Sequence, residues 1–138
     1  MVSRIPFDMV QKSLYALLSQ GQSIPVYDSI PTGVEAMPYI VLGELHGTPV
    51  DENKTTVYHA VSQQLHVWSR QKGKQEVNGI LDDVVFLLTR YALTLSGYTQ
   101  VGGAVVSLYQ VVPELYADKT GAYHGILVTE WVLRQDLH

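Results

Sequence analysis

The sequence predicts an α+β fold in which a mostly antiparallel sheet of about four to five strands carries two helices on one face. In residues 57–69 the odd positions include the aliphatic residues Val57, Val61, Leu65 and Val67. This spacing places one apolar face along the segment, with the period of two that is typical of a strand. Residues 7–20 and 74–91 instead repeat apolar residues at helical spacing. Further β-rich runs precede residue 57 and follow residue 97, which gives the order α-β-β-β-α-β-β.

The composition describes one folded domain that spans residues 1–138. With 46% hydrophobic and 16% charged residues, the chain differs from disordered segments, which are polar and highly charged. The lack of cysteine excludes disulfides, thiolate nucleophiles and cysteine-ligated zinc. Nine scattered basic residues and a net charge of −4 argue against specific binding of duplex DNA, which needs clustered Lys and Arg.

No targeting or membrane segment is predicted. Residues 1–6 contain no uninterrupted apolar stretch of the kind that a secretion signal requires, and no later run reaches the length of a membrane span. We therefore expect a protein that is made in the cytoplasm and has no membrane partner.

The first helix and the first two strands follow from local patterns. In residues 7–20 the apolar side chains recur at helical spacing, and Gly21 provides a stop. Residues 24–27 read as a short strand, and Pro25 favours an edge or a strand start over the centre of a sheet. Residues 39–45 are rich in β-formers and are predicted as the second strand, the neighbour of residues 57–69.

Residues 47–54, between the second and third strands, are polar and longer than a tight hairpin turn. We predict that this segment is a loop that projects from the sheet towards a partner. The interaction residues predicted in it are Asp51, Glu52, Asn53 and Lys54.

The second helix, predicted over residues 74–91, carries one aromatic residue outside its apolar stripe. The stripe consists of Val77, Ile80, Leu81, Val84, Leu87 and Leu88. At 100° per residue, Phe86 lies opposite the stripe, on the face of Gly79 and Arg90. Phe86 is then either a solitary exposed aromatic or an anchor whose partner packs closely against Gly79 beside Arg90. Both interpretations stay open at this point.

Residues 98–112 are apolar on both alternating faces, which predicts a strand buried on both sides. Helices can cover one face, and the other requires a second layer or another subunit. Pro113 is expected to end this strand, and residues 116–121 are expected to form a turn. The last strand is predicted over residues 123–133, with Trp131 and Glu130 on opposite faces.

No pattern in the chain predicts a catalytic, cofactor or metal site. Gly73-Lys74 is not preceded by the glycine of a phosphate-binding loop, and no Gly-x-Ser-x-Gly motif occurs. His59 and His66 have opposite parity on one strand, so they do not form a ligand pair. Asp82 and Asp83 diverge by 100° on a helix, which favours a solvated face over an acid/base pair.

Four short runs resemble the tail completion proteins of tailed bacteriophages and prophages, also called head-to-tail joining or tail terminator proteins. They are Pro38-Tyr39-Ile40-Val41-Leu42-Gly43, Leu65-His66-Val67-Trp68-Ser69-Arg70, the helix over residues 80–88, and His124-Gly125-Ile126-Leu127. The second run is the most specific, and the resemblance extends from the first helix to the last strand.

The resemblance implies a non-enzymatic virion protein without a cofactor. Such a protein would self-associate into a six-fold ring at the end of the tail tube and dock onto the head connector or stopper protein. DNA would pass through the ring without being specifically bound, and the net acidity suits such a channel. Two alternatives remain: another tail tube or adaptor component, and a small-ligand-binding or enzyme-subunit domain with a pocket between sheet and helices near His66 and Trp68.

Overall fold

The computed structural model describes residues 2–31, 37–50, 55–70, 73–115 and 121–136. Two helices and five strands follow the predicted order. The helices are α1 (Phe7–Gly21) and α2 (Gln75–Arg90), and the strands are β1 (Val26–Tyr27), β2 (Tyr39–Val50), β3 (Val57–Ser69), β4 (Tyr98–Leu115) and β5 (Gly121–Gln135). In this part of the chain no helix is long and apolar enough to cross a membrane.

The five strands form one mixed sheet in the order β1-β2-β3-β5-β4. β1 pairs with β2 in parallel, and the other three pairings are antiparallel, so the predicted mostly antiparallel sheet is confirmed. β3 lies at the centre and pairs with β5 along its whole length. Its odd-numbered residues are buried and its even-numbered residues are half-buried, as the alternation predicts.

Both helices pack on the face of the sheet to which the odd-numbered residues of β3 point. α1 buries Val10, Leu14 and Leu18 there, and α2 buries the six residues of the predicted stripe. These side chains form one core cluster with residues such as Leu65 of β3 and Leu127 of β5. Ser69, at the end of β3, donates a hydrogen bond of 2.5 Å to Glu76 Oε1 in the first turn of α2.

Gly125 allows α2 to lie close to the sheet. It pairs with Val67 in the centre of the sheet, below the N-terminal half of α2. A Cβ atom at this position would lie 3.0 Å from Val77 and 3.1 Å from Leu81 of α2. A side chain here would require Val77 and Leu81 to shift, so glycine favours the close packing of α2 on the sheet.

A bulge in β2 explains why a polar residue is buried among the core positions of β3. The pairing of β2 with β3 shifts register between Leu42 and Leu45. The side-chain nitrogen Nε2 of Gln63, in β3, lies beside this bulge. It donates hydrogen bonds to the carbonyl oxygens of Gly43 at 3.0 Å and Glu44 at 3.3 Å. The amide thus satisfies carbonyl groups that the disrupted ladder leaves without a regular partner.

Two strands, β2 and β4, continue at least three residues beyond their predicted ends, and Gly121, predicted in a turn, is the first residue of β5. β2 continues to Val50, because residues 47–50 of the predicted loop pair with β3. Asp51, Glu52, Asn53 and Lys54 lie outside the described residues. β4 continues past Pro113 to Leu115, which is possible because β4 is an edge strand and proline is tolerated there.

The prediction that residues 98–112 are buried on both faces is also wrong. β4 is the last strand of the sheet, so it has a neighbour on one side, and α2 covers only part of its inner face. Its side chains remain exposed, with Val105 at 59% and Tyr109 at 75% of full exposure. The apolar composition of this strand is therefore not explained by burial within the described chain.

We expect Gly125→Val to destabilise the fold by about 1–3 kcal/mol, because the added methyl groups overlap Val77 and Leu81 of α2. Gly79→Ala is the matched control. No atom lies within 4 Å of a Cβ built at Gly79, so alanine there should stabilise α2 by about 0.5–1 kcal/mol through helix propensity. Urea unfolding of both variants measures the difference, and an unchanged midpoint for Gly125→Val would show that α2 adjusts without cost.

Candidate functional site

The first candidate surface is the face of the sheet opposite to the helices, which we call the outer face. Neither α1 nor α2 covers it, because both pack on the other side. The register places on it Tyr58, Ala60, Ser62, Gln64, His66 and Trp68 of β3, Ile126, Val128, Glu130 and Val132 of β5, and Val101, Val105 and Leu108 of β4. A contiguous apolar surface of this kind marks an interaction site in soluble proteins.

A depression of about 410 Å³ lies in the middle of the outer face. Its lining side chains come from four strands: His46 and Thr48, Ala60 and Ser62, Val105, and Glu130 and Val132. The lining of this depression therefore combines aliphatic, hydroxyl and ionisable side chains.

At one end of the outer face, two histidines and a tryptophan form a compact cluster. The rings of Trp68 and His124 stack with centroids 3.9 Å apart and an angle of 10° between planes. His66 Nδ1 lies 2.7 Å from His124 Nε2, and His124 Nδ1 lies 3.1 Å from Glu114 Oε1. With both rings neutral, His66 Nδ1–H donates to His124, and His124 Nδ1–H donates to Glu114.

The cluster disfavours protonation of His66. Burial lowers the pKa of His66 from its ordinary value of 6.5, the adjacent His124 lowers it further, and Glu44 acts in the opposite direction. If both rings were protonated, two N–H groups would face each other across the 2.7 Å contact. The ring of His66 also lies over Gly43, where a Cβ atom would approach it to 2.9 Å.

The histidines do not converge on a metal position. Within the described residues no group of three or more His, Cys, Asp or Glu side chains is arranged to hold a metal ion. His59 points to the opposite side of the sheet from His66, as its parity predicts, and is buried with Nε2 donating to Gln135 Oε1 at 3.2 Å. Its role is structural.

The outward face of α2 is the second candidate surface. Phe86 is 59% exposed, and Gly79 has open space where its side chain would be. The guanidinium of Arg90 lies 5.4 Å from the ring centroid of Tyr91. Phe86 is therefore not a core residue, and its role as an anchor beside Gly79 and Arg90 remains a prediction.

A groove between α2 and β4 is the third candidate surface, and sequence patterns do not reveal it. It has a volume of about 550 Å³. Its walls are Asn78, Leu81, Asp82 and Val85 of α2, and Val106, Tyr109, Gln110 and Val111 of β4. The groove exists because α2 lies over β3 and β5 as well as β4, which leaves the inner face of the edge strand partly open.

The predicted pocket between sheet and helices near His66 and Trp68 is wrong. Both residues occupy even positions of β3, so both point to the outer face, away from the helices. The pairing of His66 with His124 was not predicted, because it joins residues 58 positions apart and depends on the register of β3 with β5.

Two comparisons with known proteins find similarity, one to a family model and one to a solved structure. A family model described as tail completion protein gp17 matches residues 11–134. No curated protein matches the sequence significantly. Among solved structures, a chain of the virion of a native gene transfer agent particle is similar, with a TM-score of 0.72 and 18% identity over 95% of this chain and 99% of that chain. At that identity, the likeness shows a shared fold.

We expect His66 to make the stability of the chain dependent on pH. A folded-state pKa below 6.5 means that the unfolded chain binds the proton more readily. The stability that is present above pH 6.5 is therefore lost as the pH falls through the lowered pKa. Urea unfolding at about pH 7.5 and about pH 5 should show a smaller loss for His66→Gln than for the wild type.

His46→Gln is the control for this measurement, because His46 is an exposed histidine on the same face. Between about pH 7.5 and about pH 5, the His46→Gln variant should lose as much stability as the wild type does. Equal losses in His66→Gln and the wild type would mean that the His66–His124 contact does not resist protonation.

Proposed function

Because the chain belongs to the tail completion protein gp17 family, whose model matches residues 11–134, we propose that it forms a ring at the end of the tail tube and joins the tail to the head connector. It is a structural component of phage-like tails. Its proposed partners are further copies of itself, six to a ring, the head connector or stopper protein, and the tail tube protein. Its proposed location is the head–tail interface of the virion, after synthesis in the host cytoplasm.

The observation that carries the proposal is the bare apolar outer face. Val105, Leu108 and Val132 are each more than two-fifths exposed on it, at 59%, 44% and 42%. Monomeric proteins rarely expose a contiguous surface of this kind. An open sheet also presents two different edges, and contacts between unlike surfaces of identical subunits generate closed rings when the rotation closes. Assembly would cover the apolar side chains that folding leaves in water.

The charge distribution supports a channel through which DNA passes without being held. The described basic residues are dispersed, and two are neutralised locally: Lys12 lies 3.2 Å from Asp8, and Arg134 lies 3.5 Å from Asp136. Strong phosphate binding needs several cations in one patch. The net charge of −4 favours repulsion of DNA over retention.

A second candidate is another tube or adaptor component of the same kind of particle. The exposed outer face could form contacts in either kind of component. The position of the protein in the virion therefore distinguishes the two candidate functions. The ring proposal requires the protein at the junction of tail and head, visible by immunogold labelling of purified particles. Label along the tube or at the distal tip would favour the second candidate.

Phe86→Glu should block joining of heads to tails and spare the fold. The side chain is 59% exposed, so glutamate costs the monomer little, whereas a charge at a buried contact is strongly unfavourable. We expect about 10-fold fewer joined particles in a complementation assay counted by electron microscopy, with an unchanged melting temperature. Tyr15→Glu, a comparably exposed aromatic on α1, is the control and should assemble normally. A collapsed melting temperature would contradict the exposure of Phe86.

Deletion of residues 51–54 should impair docking while leaving folding intact. These residues, Asp51, Glu52, Asn53 and Lys54, connect the ends of β2 and β3, whose pairing continues to Val50 and Tyr58. A tighter connection should preserve that pairing. The same particle count measures docking, and undiminished assembly would remove this segment from the proposed contacts.

A further inference from the structure

β4 presents a free backbone edge, and residues 108–112 of that edge lack the usual protection. It pairs with β5 on one side, and no described strand pairs with the other. Exposed edges are normally protected by charged residues, proline or bulges. β4 has bulges near Val101 and Val106 and a proline at position 113, but Leu108 to Val112 keep a regular register with β5. The sequence contains no Asp, Glu, Lys or Arg from Tyr98 to Pro113.

The opposite edge of the sheet is protected. β1 pairs with Ile40 and Val41 of β2, and beyond them β2 contains the bulge, Glu44 and Pro49. Each of these disfavours addition of another strand. Among the described strands, the unprotected stretch is therefore residues 108–112 of β4.

The groove between α2 and β4 lies beside this edge. A strand that paired with residues 108–112 would run about 4.8 Å beyond β4. Its alternate side chains would point to the helix side of the sheet, where Tyr109 and Val111 of β4 and Leu81 and Val85 of α2 provide apolar walls. An edge strand that supplies backbone hydrogen bonds beside pockets for alternate side chains is a recurrent mode of peptide recognition.

One charged residue lines the groove. Asp82 is exposed on its helical wall, and the other residues of the lining are neutral. The carboxylate favours a basic side chain on the bound segment. β4 of a second copy does not provide one, because residues 98–113 contain neither Lys nor Arg. Charge complementarity thus favours a segment other than β4 itself.

We infer that the free edge of β4 and the α2–β4 groove together bind an extended segment of another protein by strand addition. The segment carries aliphatic side chains at alternate positions and a basic residue that faces Asp82. The inference rests on the proposed function only in identifying that protein as another component of the virion. Binding would extend the sheet by one strand and cover the exposed ring of Tyr109.

A synthetic peptide tests the site without knowledge of the natural partner. The probe is Ac-Lys-Thr-Val-Thr-Val-Thr-Lys-NH₂, with lysine at both ends so that either strand direction places one near Asp82. Titrated to millimolar concentration into the isotope-labelled full chain, it should shift the amide resonances of residues 78–85 and 108–112 and slow hydrogen exchange in β4. Ac-Lys-Thr-Pro-Pro-Val-Thr-Lys-NH₂ has the same charge, but its two adjacent prolines remove N–H donors from both edges of the strand, so it should shift neither region.

Adjacent aspartates provide a matched pair of variants. Asp82 lines the groove, whereas Asp83, also exposed, is rotated away from it by 100°. Asp82→Lys should weaken peptide binding about 2- to 5-fold, and Asp83→Lys should change it less. Equal effects of the two variants would mean that the charge acts at long range and would overturn the predicted contact with Asp82.

Three results would overturn the strand-addition site: no shifts at residues 108–112, equal shifts with the proline peptide, or shifts at these residues that depend on protein concentration without peptide. The last would assign the edge to a second copy of the chain. The outcome is independent of the particle count that tests the proposed function. A chain that binds the peptide but is missing from tails would refute the tail-joining role alone, and a chain that joins tails but ignores the peptide would refute the strand-addition site alone.

Discussion

The position of β3 between β2 and β5 is the constraint on which the rest of the structure depends. Its side chains alternate along 13 residues, so one set points to the helices and the other to the outer face. A slip of one residue in either pairing would exchange the two sets. Leu65 would then lie in water, and His66 would lie under the helices. The register thus determines which side chains form the core and which form the outer face.

The bulge in β2 shows how the chain accommodates this constraint. Before the bulge, Ile40 and Leu42 share the inner face with Val67 and Leu65; after it, Leu45 pairs with Gln63. The side chains of β2 that face the core thereby change from even to odd positions. Gln63 compensates for the break by donating to the carbonyls of Gly43 and Glu44. The buried amide nitrogen of Gln63 therefore supplies a donor to two backbone carbonyls at the bend of β2.

The two faces of the sheet differ in how far their aliphatic side chains are buried. On the inner face, α1, α2 and the sheet bury a continuous aliphatic core. On the outer face and along β4, aliphatic side chains and backbone groups remain in water. The exposed outer face and the β4 edge belong to regular strands, so a partner that bound there would require little reorganisation of the described chain.

The elements themselves were predictable, because helical and strand periods are local properties of the chain. α1, α2 and β3 were found within one or two residues, and the family was recognised from runs such as residues 65–70. The exposure of Phe86 also followed from periodicity, since a residue opposite an apolar stripe faces solvent. Residues 47–50 were mistaken for loop because their strand character comes from pairing with β3, which their polar composition does not encode.

Position within the sheet could not be read from local pattern. β4 and a central strand have the same apolar composition, and only the order β1-β2-β3-β5-β4 makes β4 an edge. The contact between His66 and His124 and the groove beside α2 likewise join residues distant in sequence. Periodicity thus determines which face of each element is apolar. Strand order and register determine which of those faces are covered, because coverage depends on neighbours that the chain brings together only when it folds.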